Sequence, residues 1–295
     1  MGQGLVEGIV VRSFSNVHMV LPEGRDWTVP PTLCETRGKL RLDRTKVYTG
    51  DRVLFWPGNG GRGRIEEVRP RTTLLLRPPV ANVEQAVLVF AAEDPTPSRL
   101  LLDRLLLVVA AAAIAPIICL NKRDLGDADF SLYRSLGYPV IEVSARTGQG
   151  LSQLAESLRG RVSAMVGTSG VGKSSLLNAL DPERSLPTGD ISPKLGRGRH
   201  TTRWVEILLV SGGLVADSPG FSSLDLKDIH SADLASYFPE MAAVSESCRF
   251  SGCLHREEPG CAVRARVGET VDPLRYRNYL FFYAECVKED HPWLK

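Results

Sequence analysis

At 295 residues the chain exceeds one ordinary domain, and 43% hydrophobic with 24% charged residues is the makeup of a folded globular protein, which excludes a disordered or fibrous chain. A formal net charge of +2 excludes nucleic-acid binding by bulk charge, yet residues 1–77 hold 13 Lys or Arg against 8 acids, so any positive face belongs to the N-terminal part. Two or three modules are expected.

The opening MGQGLVEGIV lacks the basic-then-apolar layout of a secretory leader. Residues 4–70 then read as short β-segments (GLVEGIVVRSF, VHMVLP, DWTVP, LCETRGKL, TGDRVLFW and RGRIEEVRP) without a helical period. That density predicts a small closed barrel; the OB-fold is the commonest of this size, and another small-barrel topology is the alternative. GNGGRG, Gly58 to Gly63, has no apolar anchor and reads as a mobile loop. From Val83 the pattern turns to alternating strands and helices, as in an α/β parallel sheet: VEQAVLVFAA, the helix-like PSRLLLDRLLLVVAAAA, PIICLNKRD, YPVIEVSARTGQG, RVSAMVGTSGVGKSSLLNAL and WVEILLVSGGLVADSPG. The apolar run Leu105 to Cys119 is broken by Pro116, so it predicts a buried helix entering a strand and no membrane span. Beyond Phe221 the pattern is helical around a cysteine cluster.

Four motifs sit on these strand ends. Gly167-Thr168-Ser169-Gly170-Val171-Gly172-Lys173-Ser174 matches GxxxxGK[ST] between an apolar strand and a helix that continues through Ser175. Its glycines let backbone NH groups curl around phosphate oxygens, and the helix start adds partial positive charge. Lys173 reaches the β- and γ-phosphates and Ser174 ligates Mg²⁺. A plain strand-to-helix turn needs neither Lys173 nor Ser174. Asp217-Ser-Pro-Gly220 puts a carboxylate at a strand end, where it holds Mg²⁺ through water, with the Gly220 NH offered to the γ-phosphate. Such a turn is common on surfaces; downstream of a P-loop it is informative. Asn121-Lys122-Arg123-Asp124 selects the base: a carboxylate at Asp124 accepts the N1 and 2-amino hydrogens that guanine presents together and adenine does not. Ser144-Ala145-Arg146 follows a second strand, with the Ala145 NH available to guanine O6.

Asn121–Asp124 and Ser144–Arg146 precede the P-loop, whereas a Thr-containing segment and DSPG follow it, so motifs normally ordered G1 to G5 read G4, G5, G1, G2, G3. The chain resembles a circularly permuted GTPase. With a barrel before and a Cys/His cluster after, it closely resembles the small ribosomal subunit biogenesis GTPase A family, essentially over its whole length: GTSGVGKSSLLNAL, LGRGRHTTR, ADSPGF, the metal cluster and DPLRYRNYL all fit. The resemblance implies a GTP hydrolase acting in late maturation of the small (30S) ribosomal subunit, in contact with its rRNA. Permutation also sends the strand ending at Asp217 into the C-terminal module, so motion of the DSPG loop would pass covalently to residues 225–295.

Of six cysteines, three crowd with a histidine in Cys248-x4-Cys253-x-His255-x5-Cys261, which points to a metal and away from a disulfide framework. Four soft or borderline ligands within fourteen residues suit one structural tetrahedral Zn²⁺, against the alternative of unrelated buried cysteines. In the segment Arg197, Arg199, His200, Thr201, Thr202, Arg203, a threonine completes the Mg²⁺ shell: Thr202 first, Thr201 second. Phe221 stands where Ras-like enzymes place a water-orienting Gln, and a phenyl ring makes no hydrogen bond to water, so His200 is the candidate catalytic group. Two other readings remain at this stage, a nucleotide-dependent binding module and an RNA chaperone with a regulatory nucleotide site. The expectation is therefore a multi-domain chain: residues 1–70 an OB-like all-β barrel, 71–225 a permuted α/β GTPase domain, and 226–295 a small α-helical zinc-binding domain. It binds Mg²⁺ with GTP and GDP, and its rRNA ligand meets the barrel through aromatics such as Phe14, Trp27 or Trp56. A cytoplasmic monomer is expected.

Overall fold

The computed structural model of the chain describes residues 4–14, 16–24, 27, 29–38, 45–58, 62–76, 79–182, 205–217 and 226–290. Five strands, β1 (Val6–Phe14), β2 (Val17–Pro22), β3 (Thr32–Thr36), β4 (Arg52–Trp56) and β5 (Arg62–Val68), form a closed barrel in the order β1-β2-β3-β5-β4 with β4 returning to β1. Only β3 and β5 run parallel, the OB arrangement. Alternation along each strand turns Val10, Val20, Cys34, Val53, Phe55 and Ile65 inward as the barrel core.

Two expectations change here. Among the described residues of DWTVP no strand forms, because Pro30 and Pro31 have no NH to give a ladder; Trp27 packs against the main core instead. GNGGRG is not wholly a loop, since β5 already starts at Arg62, paired with Leu33. Gly63 belongs to that strand because the backbone there is crowded: a Cβ would lie 2.7 Å from Cys34 Sγ and from the Trp56 carbonyl oxygen.

After a small hairpin, β6 (Leu74–Leu76) and β7 (Pro79–Ala81), comes the α/β region. Strands β8 (Gln85–Ala91), β9 (Ala115–Asn121), β10 (Val140–Glu142), β11 (Val162–Val166), β12 (Glu206–Val210) and β13 (Gly213–Asp217) lie in the order β10-β9-β8-β11-β13-β12. All seven residues of β8 are buried, as a central parallel strand covered on both faces requires. Helix α1 (Arg99–Ala111) starts where Ser98 Oγ accepts the Leu101 NH at 3.2 Å, and its leucines 102, 105 and 106 enter the core on one face of the sheet. Helices α2 (Ser131–Ser135), α3 (Leu151–Leu158) and α4 (Lys173–Leu180) complete the layer structure.

Barrel and α/β region share one eleven-stranded sheet, because β1 pairs antiparallel with β12 at Arg12 and Glu206. Thr49 reinforces the joint: its buried hydroxyl donates to the Val205 carbonyl at 3.3 Å, and its own carbonyl accepts the Ala81 NH at 2.9 Å. The C-terminal region is helical, with a 3-10 turn at Leu234–Tyr237 followed by α5 (Pro239–Ser245), α6 (Ala262–Ala265) and α7 (Pro273–Asp290). Its core of Leu226, Leu234, Phe238, Met241, Val263, Tyr279 and Phe282 includes Leu107 from α1. A buried polar network runs through the same contact. Arg275 on α7 bonds Asp103 on α1 and donates from Nε to Glu240 Oε1 at 2.5 Å, while Asn278 and the Tyr133 hydroxyl also donate to Asp103, at 2.6 and 2.9 Å. Among the described residues no helix is long and apolar enough to cross a membrane.

Candidate functional site

The P-loop joins β11 to α4. At its end Gly172 has φ of 93°, and a Cβ there would come within 2.4 Å of Asn121 Nδ2; only glycine permits both the turn and this approach. Asn121, buried at the end of β9, uses the space: its Nδ2 donates to the Val171 carbonyl at 2.9 Å and its Oδ1 accepts the Ala145 NH at 3.2 Å. One side chain thereby ties the NKRD loop to both the P-loop and the SAR loop. Lys173 Nζ donates to the Gly167 and Thr168 carbonyls at 2.7 and 3.0 Å, folding back over the loop. Burial lowers its pKa and the nearby Asp217 carboxylate opposes that shift. Asp217 is the last residue of β13, level with Met165 on parallel β11, so it lies at the strand end from which the P-loop and Ser174 emerge.

The base-reading end is equally connected. Asp124 Oδ1 accepts the Ser144 hydroxyl at 2.5 Å and Oδ2 faces Arg146 Nε at 2.7 Å. The Ser144 bond above all, with smaller help from a backbone NH and the Arg146 charge, holds the Asp124 carboxyl below the usual aspartate range, so it remains an acceptor. Ser144 is fully buried, and its Oγ also accepts the Thr147 NH at 3.1 Å, which fixes the SAR loop. Lys122 takes a positive φ of 61° and reaches the Asp94 carbonyl. Asn121, Lys122, Asp124, Ala145, Gly172 and Ser175, all expected at the nucleotide, line one cavity of about 360 Å³. Leu125 and Arg146 line it too and were not among the expected site residues, although each directly follows a recognised motif residue. His200, Thr201, Thr202, Gly220 and Phe221 lie outside the described residues.

The order of these elements along the chain separates this site from an ordinary G domain: base-reading loops on β9 and β10 come first, and the phosphate loop on β11 comes after them. The RsgA GTPase family model matches residues 68–227. The chain belongs to the RsgA GTPase family. It hydrolyses GTP as that family does. Small ribosomal subunit biogenesis GTPase RsgA of Moorella thermoacetica is 47% identical, over 97% of this chain and 99% of the relative. The protein of that name from Geobacillus kaustophilus is 49% identical over 98% of this chain and 99% of the relative. Among solved structures, YloQ, described as a circularly permuted GTPase, matches with TM-score 0.78 and 36% identity over 97% of this chain and 96% of its own. YjeQ from Thermotoga maritima matches at 0.80 and 37%, over 96% and 99%. The fold is therefore the expected one: an OB-like barrel, a permuted GTPase region and a helical region around a Cys/His cluster.

That cluster gathers Cys248, Cys253, His255 and Cys261, with one ligand atom from each lying within 4.8 Å of all the others. Two edges of the cluster match zinc geometry: Zn–S of 2.3 Å and Zn–N of 2.0–2.1 Å at tetrahedral angles give N···S edges of about 3.6 Å. His255 Nδ1 stands 3.5 Å from both Cys248 Sγ and Cys261 Sγ. Glu258 shapes the turn between the ligands, accepting the Leu254 and Arg256 NH groups at 2.7 Å each.

Proposed function

We propose that this GTPase acts in late maturation of the small (30S) ribosomal subunit, docking on its rRNA in the cytoplasm as a monomer, with the subunit stimulating hydrolysis. The observation that carries the reading is the meeting of a guanine-reading carboxylate and a P-loop in one cavity, in a chain whose relatives bear the small-subunit biogenesis name over their full length. Residues 1–70 form the barrel unit, 71–225 the GTPase unit and 226–295 the zinc unit. Asp124 accepts from guanine N1 and the 2-amino group, and the Ala145 NH serves O6 while shared with Asn121 Oδ1. The amides of Gly167 to Lys173 receive the phosphates, and Lys173 exchanges its carbonyl partners for the β- and γ-phosphate oxygens. Ser174, Asp217 and Thr202, with Thr201 as the alternative, would hold Mg²⁺, which when bound offsets phosphate charge. Gly220 offers its NH to the γ-phosphate, and His200 orients the attacking water or takes its proton. Cys248, Cys253, His255 and Cys261 hold one structural Zn²⁺. On the barrel, Trp56 is the aromatic best placed to stack on a base, being 37% exposed, whereas Trp27 packs against the core and Phe14 lies under Arg12.

Cosedimentation with separated small and large ribosomal subunits, in GDP and in a non-hydrolysable GTP analogue, tests this reading. Binding to the small subunit alone, stronger with the analogue, is expected. Equal binding to both subunits, or none to either, would contradict it.

A further inference from the structure

Taking the Cys/His cluster as a zinc site, its histidine still has two ring nitrogens, and the neighbours of each decide which one faces the metal. His255 Nε2 lies 3.2 Å from Ser245 Oγ at the end of α5. The Ser245 hydroxyl has a single proton, and that proton is committed: Oγ donates to the Met241 carbonyl at 2.7 Å, a group that only accepts. Toward His255 the hydroxyl is therefore an acceptor. Nε2 must then carry the ring hydrogen, which leaves the lone pair on Nδ1, the atom 3.5 Å from Cys248 Sγ and Cys261 Sγ.

The backbone beneath the ring is held as firmly. His255 takes φ of 57°, its carbonyl accepts the Tyr276 hydroxyl at 2.7 Å, and the preceding Leu254 carbonyl accepts the Tyr279 hydroxyl at 2.6 Å. Ligation through Nε2 would instead need the ring hydrogen on Nδ1 and would forfeit the Ser245 bond. We propose that Ser245 is a positioning residue of the metal centre: its helix-committed hydroxyl fixes the Nε2–H tautomer of His255 and presents Nδ1 as the fourth zinc ligand. The same helix carries Glu240, so the residue that orients the ligand and the residue that pairs with Arg275 share one rigid element, and the metal site is mechanically continuous with the contact to α1.

The test uses the full chain. Zinc affinity is measured by competition with a chromophoric chelator for the parent, Ser245→Ala and Ser245→Thr, and long-range proton–nitrogen correlation spectra of the zinc-loaded parent assign the ligating nitrogen. The expected results are one zinc per chain bound through Nδ1, affinity lowered about 10- to 100-fold in Ser245→Ala, the range for lost outer-shell partners, and recovery to within a few-fold of the parent in Ser245→Thr. Unchanged affinity in Ser245→Ala, or a spectrum showing ligation through Nε2, overturns the role of Ser245 while leaving the zinc site standing. A parent chain that takes up no zinc overturns the zinc reading itself. Because the spectrum is recorded on the parent, the assignment does not depend on either variant folding.

Discussion

Replacing Arg275 by Met should uncover how the C-terminal region is held to the GTPase region. The guanidinium lies between the Asp103 and Glu240 carboxylates, and the three side chains are 2%, 0% and 3% exposed. Removing one partner of a buried pair costs about 3–5 kcal/mol, because the other charge stays buried. Protonation sets a ceiling on the Asp103 share of that cost. Holding a carboxyl neutral at pH 7 when its ordinary pKa is 3.8 costs about 4 kcal/mol, and at pH 5 about 1.6 kcal/mol. Asp103 is already raised, by burial, with Arg275 opposing; in Arg275→Met that opposition is gone and the folded pKa rises further. A carboxyl whose folded pKa exceeds its unfolded one contributes stability at low pH that is lost as pH rises, so the defect must grow with pH. Urea denaturation followed by circular dichroism at pH 5 and pH 7 should give losses of about 2 and about 4 kcal/mol. A loss under 1 kcal/mol at pH 7, or the same loss at both values, would refute the assignment of this network as the clamp.

Asp124→Asn should lower GTP affinity on the order of 10²-fold and raise xanthine nucleotide affinity, since two guanine donors then face an amide at about 1–2 kcal/mol each; equilibrium binding of fluorescent GDP and XDP reads both. Ser144→Ala removes the bond that most lowers the Asp124 pKa, so the loss of GDP affinity on acidification should shift to higher pH, a difference that a pH series of the same assay would reveal or exclude. Chelating the metal, or Cys253→Ser, should raise amide hydrogen exchange across residues 245–265 while GTP affinity stays within about 2-fold of the parent, because the cluster lies in the C-terminal core and the P-loop does not. His200→Ala should cut subunit-stimulated hydrolysis about 10²-fold or more with GTP affinity nearly unchanged; full stimulation in that variant assigns catalysis to another group.

Much of the site was legible because its chemistry is written locally. The Gly167–Ser174 run, Asn121 with Asp124, and three cysteines with a histidine in fourteen residues each need only neighbours in sequence to be recognised. What escaped depends on distant partners. Nothing around Thr49 announces a bond to Val205, 156 positions away, so the continuous sheet joining barrel to GTPase region was not foreseen. Arg275 reads as a surface cation in DPLRYRNYL until Asp103, in the middle of an apolar helix, is brought against it. Asp103 is a polar residue in a helix covered on two sides, by the sheet and by the C-terminal core. DWTVP read as a strand from its β-formers, and Pro30 with the following Pro31 outweighed them. The clamp also bears on the permutation: residues beyond Asp217 are tethered through α7 to α1 as well as through the chain, so displacement of the C-terminal region has to carry α1 or break the Arg275 network.

GTP turnover by the purified chain, measured alone and with isolated small ribosomal subunits, decides whether the subunit switches hydrolysis on. Slow release of phosphate by the chain alone is expected, with a rise of at least about 10²-fold with small subunits, the scale of one positioned general base, and no such rise with large subunits. Turnover unaffected by small subunits, or raised equally by both, would contradict it.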